Sequence, residues 1–330
     1  MMKHTAIAAL VAAATMVAPA AAKDTVTFAY LADPSHEAVM WALKNGKVTS
    51  DLIEVQADAL QIPALIQGTA TRAYDVVQTA GMAIPRLRNR GLDLRIIGTA
   101  LRYHAHGEGA DIWVPADSDI QSAADLKGKR LATYSLGSSG VTLARVALAN
   151  SHGLNVDLEG GDLEFVEMPA PGMPAALSAG RVDAAMLIHA QAFEAQKTGA
   201  FRSVVSTAVD NHDEFGVRMV SAVLGGYGDK LDAEPEKYQE FMRLLHESVE
   251  YAKANPDEVF TAVAEETGTP KEFFEKWFSE FSDFPALISQ DDRKAIETLW
   301  QEAEKLGILS DLPPVDETVW SETVTAESQS

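Results

Sequence analysis

The stretch Asp125-Leu-Lys-Gly-Lys-Arg-Leu-Ala-Thr-Tyr-Ser-Leu-Gly-Ser-Ser-Gly-Val-Thr142 decides how this chain folds. Residues 131–134 have the composition of a short strand, and residues 141–149 repeat apolar side chains with the period of a helix. Between them, two glycines bracket Ser138 and Ser139, at the position where a helix cap belongs. The stretch therefore predicts a strand, a loop and a helix.

This loop predicts a site for a small anion. The first amides of a helix carry partial positive charge and donate hydrogen bonds, and the hydroxyls of Ser138 and Ser139 add two more donors. The alternative is that these serines only cap the helix. The glycine spacing is not that of a dinucleotide-binding loop, and no Gly-Lys-Ser/Thr follows it, so neither a dinucleotide nor a P-loop is indicated.

Residues 1–22 predict a secretory signal peptide. A basic start is followed by an apolar segment and by Pro19-Ala-Ala-Ala22, which favours cleavage after Ala22 and a periplasmic location. A membrane anchor is the alternative, but the apolar run is too short to span a bilayer comfortably. No later run approaches about 18 uninterrupted apolar residues, so we expect no direct insertion into a membrane.

Composition narrows the possible partners. The formal net charge is −21, from 48 acidic and 27 basic residues, which argues against nucleic acids and anionic membranes. The chain has no cysteine, which excludes disulfides, a thiolate nucleophile and a cysteine-ligated metal. No His-Glu-x-x-His motif is present, so we expect neither a metal nor a cofactor. A small anionic ligand remains compatible with this net charge. Amides, hydroxyls and imidazoles close to the ligand can outweigh the repulsion from the distant acidic side chains, which dissolved salt screens.

Strands and helices alternate along most of the chain, which predicts an α/β fold with parallel-type sheets. The predicted strands are 25–30, 51–56, 72–78, 94–99, 131–134, 163–167, 182–187, 203–206 and 217–223. After Pro235 the pattern becomes helical, with predicted helices at 237–252, 256–266, 270–281 and 290–306. Ligands of such sheets gather beyond the carboxyl ends of the strands.

Polar side chains follow several of these strands and are the candidates for ligand binding. They are Ser35, His36, Gln78, Thr79, His104, His106, Ser138, Ser139, His189 and Gln191. Each one alone is better explained by a loop or capping role, but together they place uncharged donors and imidazoles at separate strand ends. The set therefore predicts a ligand-binding cleft.

Five motifs in a fixed order carry a resemblance to a known family. They are Asp75-Val-Val-Gln-Thr-Ala-Gly81, Asp125-Leu-Lys-Gly-Lys-Arg130, Gly137-Ser138-Ser139, Gly180-Arg-Val-Asp-Ala-Ala185 and Tyr251-Ala-Lys-Ala-Asn-Pro256. In this order they resemble the periplasmic solute-binding proteins of the nitrate, sulfonate and taurine ABC transporters. The resemblance covers essentially the whole chain after the predicted signal peptide.

The resemblance implies a two-lobed periplasmic-binding-protein fold of type II, built from two doubly wound α/β domains with a helical C-terminal extension. Lobe I would comprise 23–114 and 216–330, and lobe II would comprise 115–215. The ligand would lie in the cleft between the lobes. The implied partners are the permease and the ATPase of an ABC importer, and the expected state is a monomer.

The family also implies roles for some candidates. Its Gly-Ser-Ser/Thr loop cradles an anionic head group, which implies that Ser138 and Ser139 contact the ligand. The family's loops after the first and third strands correspond to Ser35-His36 and Gln78-Thr79, which the resemblance therefore also places at the ligand. Many members carry Trp-x-Pro where this chain has His189-Ala-Gln191. This departure favours a ligand with a second polar end or an aromatic carboxylate.

The leading hypothesis is capture of a small organic anion, such as taurine, an alkanesulfonate or a carboxylate. One alternative is a pyrimidine of the thiamin-precursor type or another heterocycle, for which Tyr30, Asp33 and Tyr103 would supply contacts. A remote alternative is an enzyme on the same fold. Gly137-Ser-Ser-Gly140 lacks the Gly-x-Ser-x-Gly nucleophile elbow, which argues against a serine hydrolase.

The signal peptide gives the first testable prediction. Expressed with its natural start in a Gram-negative host, the protein should appear in the periplasmic fraction beginning at Lys23, because signal peptidase cuts after small residues. N-terminal sequencing and intact-mass measurement check this. Recovery of a chain that retains residues 1–22 in the membrane fraction would instead support an anchor.

Overall fold

The structure is a computed structural model that describes residues 23–326. The predicted signal peptide, residues 1–22, lies outside the described residues. The described strands, numbered in chain order, are β1 (Asp24–Leu31), β2 (Ile53–Leu60), β3 (Val76–Ala80), β4 (Leu94–Tyr103), β5 (Ile112–Pro115), β6 (Arg130–Thr133), β7 (Glu164–Glu167), β8 (Ala184–Met186), β9 (Phe201–Val205), β10 (Val220–Tyr227) and β11 (Ser282–Asp283).

Helices connect these strands and form most of the C-terminal part. They are α1 (Pro34–Lys44), α2 (Ile62–Thr71), α3 (Ala83–Arg88), α4 (Ser139–Asn150), α5 (Met173–Ser178), α6 (Ala190–Thr198), α7 (Thr207–Phe215), α8 (Gly228–Ala233), α9 (Pro235–Ala254), α10 (Pro256–Thr267), α11 (Lys271–Lys276), α12 (Gln290–Lys305) and α13 (Val315–Thr318). A π-helical turn, Trp277–Phe281, continues α11.

Two sheets organise the fold. The larger has the strand order β11-β4-β10-β3-β1-β2, and the smaller has the order β7-β6-β8-β5-β9. In the larger sheet β1 runs parallel to β2 and β3, whereas β10 lies antiparallel between β3 and β4. In the smaller sheet β6 runs parallel to β7 and β8, and β5 is antiparallel to β8 and β9. The expected alternation of strands and helices is confirmed.

The chain crosses between the sheets twice. It leaves the larger sheet after β4 and returns to it at β10, as the predicted strand 217–223 indicated. The division into lobes at 114–115 and 215–216 stays a prediction. Strand pairing nevertheless assigns Ile112–Pro115 to the smaller sheet, because its backbone bonds to β8 and β9. The first crossing segment is therefore the loop between Tyr103 and Ile112.

Each sheet has its own apolar core. The larger core includes side chains of α1, α9 and α12 packed with the larger sheet, and it buries Trp277 and Trp300 as expected for interhelix packing. The smaller core joins β5, β6 and β8 to α4. Each sheet and its helices thus form a separate layer with a core of its own, and a cavity can form where the two layers meet.

Among residues 23–326, no helix is both long enough and apolar enough to cross a membrane.

A glycine in β4 tests the packing of the larger core. A Cβ at Gly98 would lie 1.9 Å from the carbonyl oxygen of Ala286 and 2.5 Å from Cε of Met242. Because the first neighbour is backbone, Gly98→Ala should lower the free energy of unfolding by about 1 to 3 kcal/mol in urea titrations. Gly172→Ala is the matched control, since nothing lies within 4 Å of its Cβ position. Equal stability of the two variants would contradict this packing.

Candidate ligand-binding site

A cavity lies between the carboxyl ends of strands from both sheets. It encloses about 740 Å³ of empty space, part of which is open to solvent. Its wall is largely apolar, with contributions from Leu31, Ile62, Leu65, Ile66, Leu101 and Ile188. Among the predicted site residues, the wall includes Gln78, Thr79, Ser138, Ser139 and His189. An apolar lining with a few polar groups is typical of a small-molecule site.

The N terminus of α4 forms one part of the wall, and Ser138 is its cap, as predicted. The Ser138 hydroxyl accepts a hydrogen bond from the backbone N–H of Val141 at 3.2 Å and donates one to the carbonyl of Ser135 at 2.8 Å. The N–H groups of Ser139 and Gly140 have no acceptor among the described residues. Two helix-end amides are therefore available to an acceptor in the cavity.

The loop before α4 is joined to the larger sheet. The Ser139 hydroxyl accepts a hydrogen bond from the backbone N–H of Met82 at 3.2 Å. The guanidinium of Arg86 donates to the carbonyl of Gly137 at 2.9 Å. These bonds link the two sides of the cavity. The Ser138 hydroxyl already donates to Ser135, whereas the Ser139 hydroxyl only accepts, so its O–H is still able to donate to a ligand.

Two tyrosines stand beside this helix end. A Cβ at Gly140 would lie 1.9 Å from the hydroxyl oxygen of Tyr134 and 3.3 Å from that of Tyr103, so only glycine admits both hydroxyls. Both tyrosines line the cavity and are nearly fully buried. Burial raises the pKa of each phenol, so both remain neutral donors at ordinary pH.

Glu108 brings a carboxyl group into the cavity wall. It is 6% exposed, and its neighbour Asp111 is 5% exposed. Burial raises the pKa of Glu108 well above its usual range, with a further contribution from the charge of Asp111. Burial also raises the pKa of Asp111 to about 7. Glu108 is not among the residues predicted for the site, although it follows the same strand as His104.

His189 connects the two sides of the cavity. Its Nδ1 accepts a hydrogen bond from the indole N–H of Trp277 at 3.0 Å, and a carboxylate oxygen of Asp33 lies 3.8 Å away. An indole N–H can only donate, so the His189 proton in this arrangement is on Nε2. The backbone of His189 has φ of 51° and ψ of −119°, a region that L-residues rarely occupy.

His36 lies behind the cavity wall, within a directed chain of hydrogen bonds. The Gln78 carbonyl accepts from the backbone N–H of Leu31 at 3.0 Å, so its amide N–H faces His36 Nε2 at 2.9 Å. The remaining ring proton is then on Nδ1 and points to the Ser35 hydroxyl at 3.1 Å, which donates to Asp33 at 2.6 Å. Burial lowers the pKa of His36 to about 3.

This chain does not form a catalytic triad. Ser35 and His36 are both fully buried, and neither lines the cavity. The Ser35 hydroxyl donates to the Asp33 carboxylate, and the imidazole donates to Ser35, so no base accepts the serine proton. The arrangement instead orients Gln78 in the wall of the cavity.

Other candidates lie away from the cavity wall. His104 Nε2 contacts the carbonyl of Phe278 at 3.4 Å, and His106 is exposed and packs against His212. Gln191 donates to the carbonyl of Ala170 at 2.6 Å, which anchors the start of α6. The structure therefore brings together five of the predicted residues and leaves Ser35, His36, His104, His106 and Gln191 outside the wall.

The sequence of this two-sheet protein matches a known protein family. A family model described as NMT1/THI5 like matches residues 51–259, more than half of the chain. The protein belongs to the NMT1/THI5-like family. No curated protein matches the sequence.

Solved structures share the fold of this NMT1/THI5-like protein. The alkanesulfonate-binding protein SsuA from Xanthomonas axonopodis pv. citri, bound to MOPS, aligns with a TM-score of 0.70 at 18% identity, over 91% of this chain and 99% of its own. The periplasmic aliphatic sulphonate binding protein SsuA from Escherichia coli aligns at 0.69 and 13% identity, over 92% and 94%. The expected family and the expected periplasmic-binding-protein fold are confirmed.

An enzyme also shares this fold. The desulfurization enzyme DSZB aligns with a TM-score of 0.60 at 19% identity, over 93% of this chain and 98% of its own. At these identities the structural likeness shows the fold alone. The choice between binding and catalysis therefore depends on the groups in the cavity.

The buried imidazole gives a prediction about stability. The unfolded chain protonates His36 near the usual pKa of about 6.5, whereas the folded protein does so only near about 3, so acid favours unfolding. Between about pH 7 and about pH 5, wild type should lose about 2 kcal/mol more of its unfolding free energy than His36→Asn. Urea titrations at both pH values measure this.

The control for this prediction is His106→Asn, which changes an exposed histidine. It should keep the pH dependence of wild type. If His36→Asn also keeps that dependence, then His36 is not buried in its neutral form.

Proposed function

We propose that the protein is the periplasmic substrate-binding component of an ABC importer, and that it captures a small organic anion, a sulfonate or a carboxylate, between its two lobes. The observation that carries this proposal is the pair of N–H groups of Ser139 and Gly140, two residues of the cavity wall, which have no acceptor among the described residues. They suit an oxyanion, because a helix N terminus offers both donors and partial positive charge.

Neutral dipoles would hold the anion. The described residues that line the cavity include no lysine and no arginine. Besides the two amides, the hydroxyls of Tyr103, Tyr134 and Thr79 are available as donors in the wall. Binding through dipoles instead of an ion pair permits release when the lobes separate, since no strong salt bridge has to break. Reversible capture is what delivery to a permease and its ATPase requires.

Closure would bury the ligand between the lobes. The bonds of Ser139 to Met82, Arg86 to Gly137 and Trp277 to His189 each join a helix or loop beside one sheet to a helix or loop beside the other. Because all three lie beside the cavity, they support a closed state in which both lobes contact the ligand. The predicted signal peptide and the family resemblance support the assignment to the periplasm, with a monomer as the working unit.

A binder of a heterocycle is the second candidate. Tyr103 and Tyr134 place two aromatic rings in the cavity wall, and Glu108 provides a carboxyl acceptor for ring or amino N–H groups. Tyr30 and Asp33, which the sequence offered for such a ligand, do not line the cavity. Aromatic faces and a buried acceptor would suit a pyrimidine.

Catalysis is not part of the proposal. Ser138 and Ser139 use their hydroxyls in capping and loop contacts, and no histidine nitrogen among the described residues contacts either of them. A serine nucleophile needs a base within hydrogen-bond reach. The cavity therefore supports binding without turnover.

The charge at the helix cap tests the anion site. Asp and Asn both cap helices about as well as Ser, so Ser138→Asp and Ser138→Asn should both keep the cap on the Val141 N–H, and they differ by one negative charge. Ser138→Asp should weaken binding of a sulfonate or carboxylate at least about tenfold more than Ser138→Asn, because it repels the anion. Calorimetry, after a thermal-shift screen of sulfonates, carboxylates and pyrimidines, measures the affinities.

Equal affinities of the two variants for an anion would contradict the site at α4. A pyrimidine that binds wild type while no sulfonate, carboxylate or nitrate does would favour the second candidate. Turnover of a bound compound would overturn the assignment as a binding protein.

A further inference from the structure

Glu108 places a carboxyl group in the wall of the cavity, beside the proposed anion site. It is the one acidic side chain among the described residues that line the cavity, and it is 6% exposed. An ionised carboxyl there would repel an anion bound to the amides of Ser139 and Gly140. A protonated carboxyl would instead offer that anion a donor. The protonation state of Glu108 therefore decides whether it opposes or assists binding.

The protein offers Glu108 no positive charge. Among the described residues, no lysine or arginine lines the cavity, and none forms an ion pair with Glu108. Its neighbour Asp111 is also buried and acidic, and accepts a hydrogen bond from the backbone N–H of Thr207 at 2.8 Å. Two adjacent buried carboxyls without a cation do not both ionise readily, because each charge lacks solvation and repels the other.

Glu108 is the member of this pair that keeps its proton. Its Oε1 accepts from the backbone N–H of Asp111 at 3.2 Å, a longer bond than the one that Asp111 receives from Thr207. Hydrogen bonds to a carboxylate favour its charged form, so the charge is better placed on Asp111. Burial raises the pKa of Asp111 to about 7, whereas burial and repulsion from Asp111 raise the pKa of Glu108 well above its usual range.

The Glu108 carboxyl lies near the other donors at the start of α4. A Cβ at Gly140 would lie within 3.3 Å of the hydroxyl oxygens of both Tyr103 and Tyr134. Burial raises the pKa of both phenols, and the charge of an ionised Glu108 would add to this, because the carboxyl is close to both rings. No side chain among the described residues forms a hydrogen bond with Glu108, so its O–H is free for a ligand.

We propose that Glu108 is a neutral carboxylic acid that donates its O–H to the bound anion. This inference rests on the proposed function, since the acceptor is an oxygen of the sulfonate or carboxylate held by the amides of Ser139 and Gly140. A hydrogen bond from O–H to an anionic oxygen is short and strong. The carboxyl thus adds a donor to a wall without lysine or arginine, and the protein binds the anion best while Glu108 holds its proton.

The ionisable groups around Glu108 give the pH dependence a definite sign. They are Asp111 from the same loop, Tyr103 from β4, Tyr134 after β6, His189 before α6, and Asp210 from α7 beside Asp111. A bound anion stabilises protonated Glu108, so the complex holds more protons than the free protein once the free carboxyl ionises. Affinity for a sulfonate, which keeps its charge throughout, should fall about tenfold or more between about pH 6 and about pH 9.5.

The first experiment compares Glu108→Gln with Glu108→Leu, two side chains of similar size, by titration calorimetry at about pH 6. The probes are ethane-, butane- and benzenesulfonate, and benzoate. Glu108→Gln keeps an N–H donor and should bind within about threefold of wild type, whereas Glu108→Leu should bind about tenfold more weakly than Glu108→Gln. Equal affinities of the two variants overturn the inference. So does tighter binding by both than by wild type, because it would show that an ionised carboxyl had repelled the anion.

The second experiment follows affinity with pH. Wild type should lose affinity as pH rises and take up protons on binding in alkaline buffers, whereas Glu108→Gln should do neither. Glu159→Gln, at an exposed position in the loop before β7, is the control and should keep the profile of wild type. A profile that survives in Glu108→Gln overturns the inference, since another group such as His189 would then carry it.

Infrared spectroscopy tests the protonation state without reference to affinity. At neutral pH, wild type minus Glu108→Gln should show the carbonyl band of a protonated carboxyl, and that band should shift when a sulfonate binds, because its O–H gains an acceptor. An absent or unmoved band overturns the inference while the anion site stands. If neither the three sulfonates nor benzoate binds wild type, the proposed anion site fails, and the inference fails with it.

Discussion

Pairing of the polar groups buried between the two sheets is the constraint on which this structure depends. Met82 N–H meets the Ser139 hydroxyl, the Gly137 carbonyl meets Arg86, and Gln78 meets both Leu31 and His36. An unpaired buried polar group would cost more than each bond contributes, so these contacts fix the loops that border the cavity. In the cavity, donors and acceptors can stay unpaired within the protein, because a bound ligand can complete their hydrogen bonds.

His189 shows how this constraint couples the two sides. Its positive φ is unfavourable for a side chain, and it persists because the ring accepts a hydrogen bond from Trp277 of the C-terminal helical part. The residue also lines the cavity, so it joins the cavity wall to the opposite side. Strain of this kind is common at ligand-binding sites, where the surrounding contacts hold it in place.

Much of the fold could be predicted from local patterns. The strands at β1, β4, β6 and β10 follow runs of β-branched and aromatic residues, and helices α9, α10 and α12 begin or end at proline, serine or glycine signals. The Ser138 cap was also predictable, because capping involves residues three apart in sequence. Pairing of β5 with the smaller sheet was not, since no local signal distinguishes which distant strand a short segment joins.

In the candidate site, too, local features could be predicted from the sequence and long-range contacts could not. By itself the sequence determined the α/β class, the helix end at Ser138 and Ser139, and the loops after the strands, because each depends on neighbours within one turn or one strand. Only the tertiary structure decided that His36 and Ser35 are buried behind Gln78, while Glu108 and Tyr134 reach the cavity. Burial and charge pairing depend on contacts between residues far apart in the chain, and these exist only once both sheets have formed.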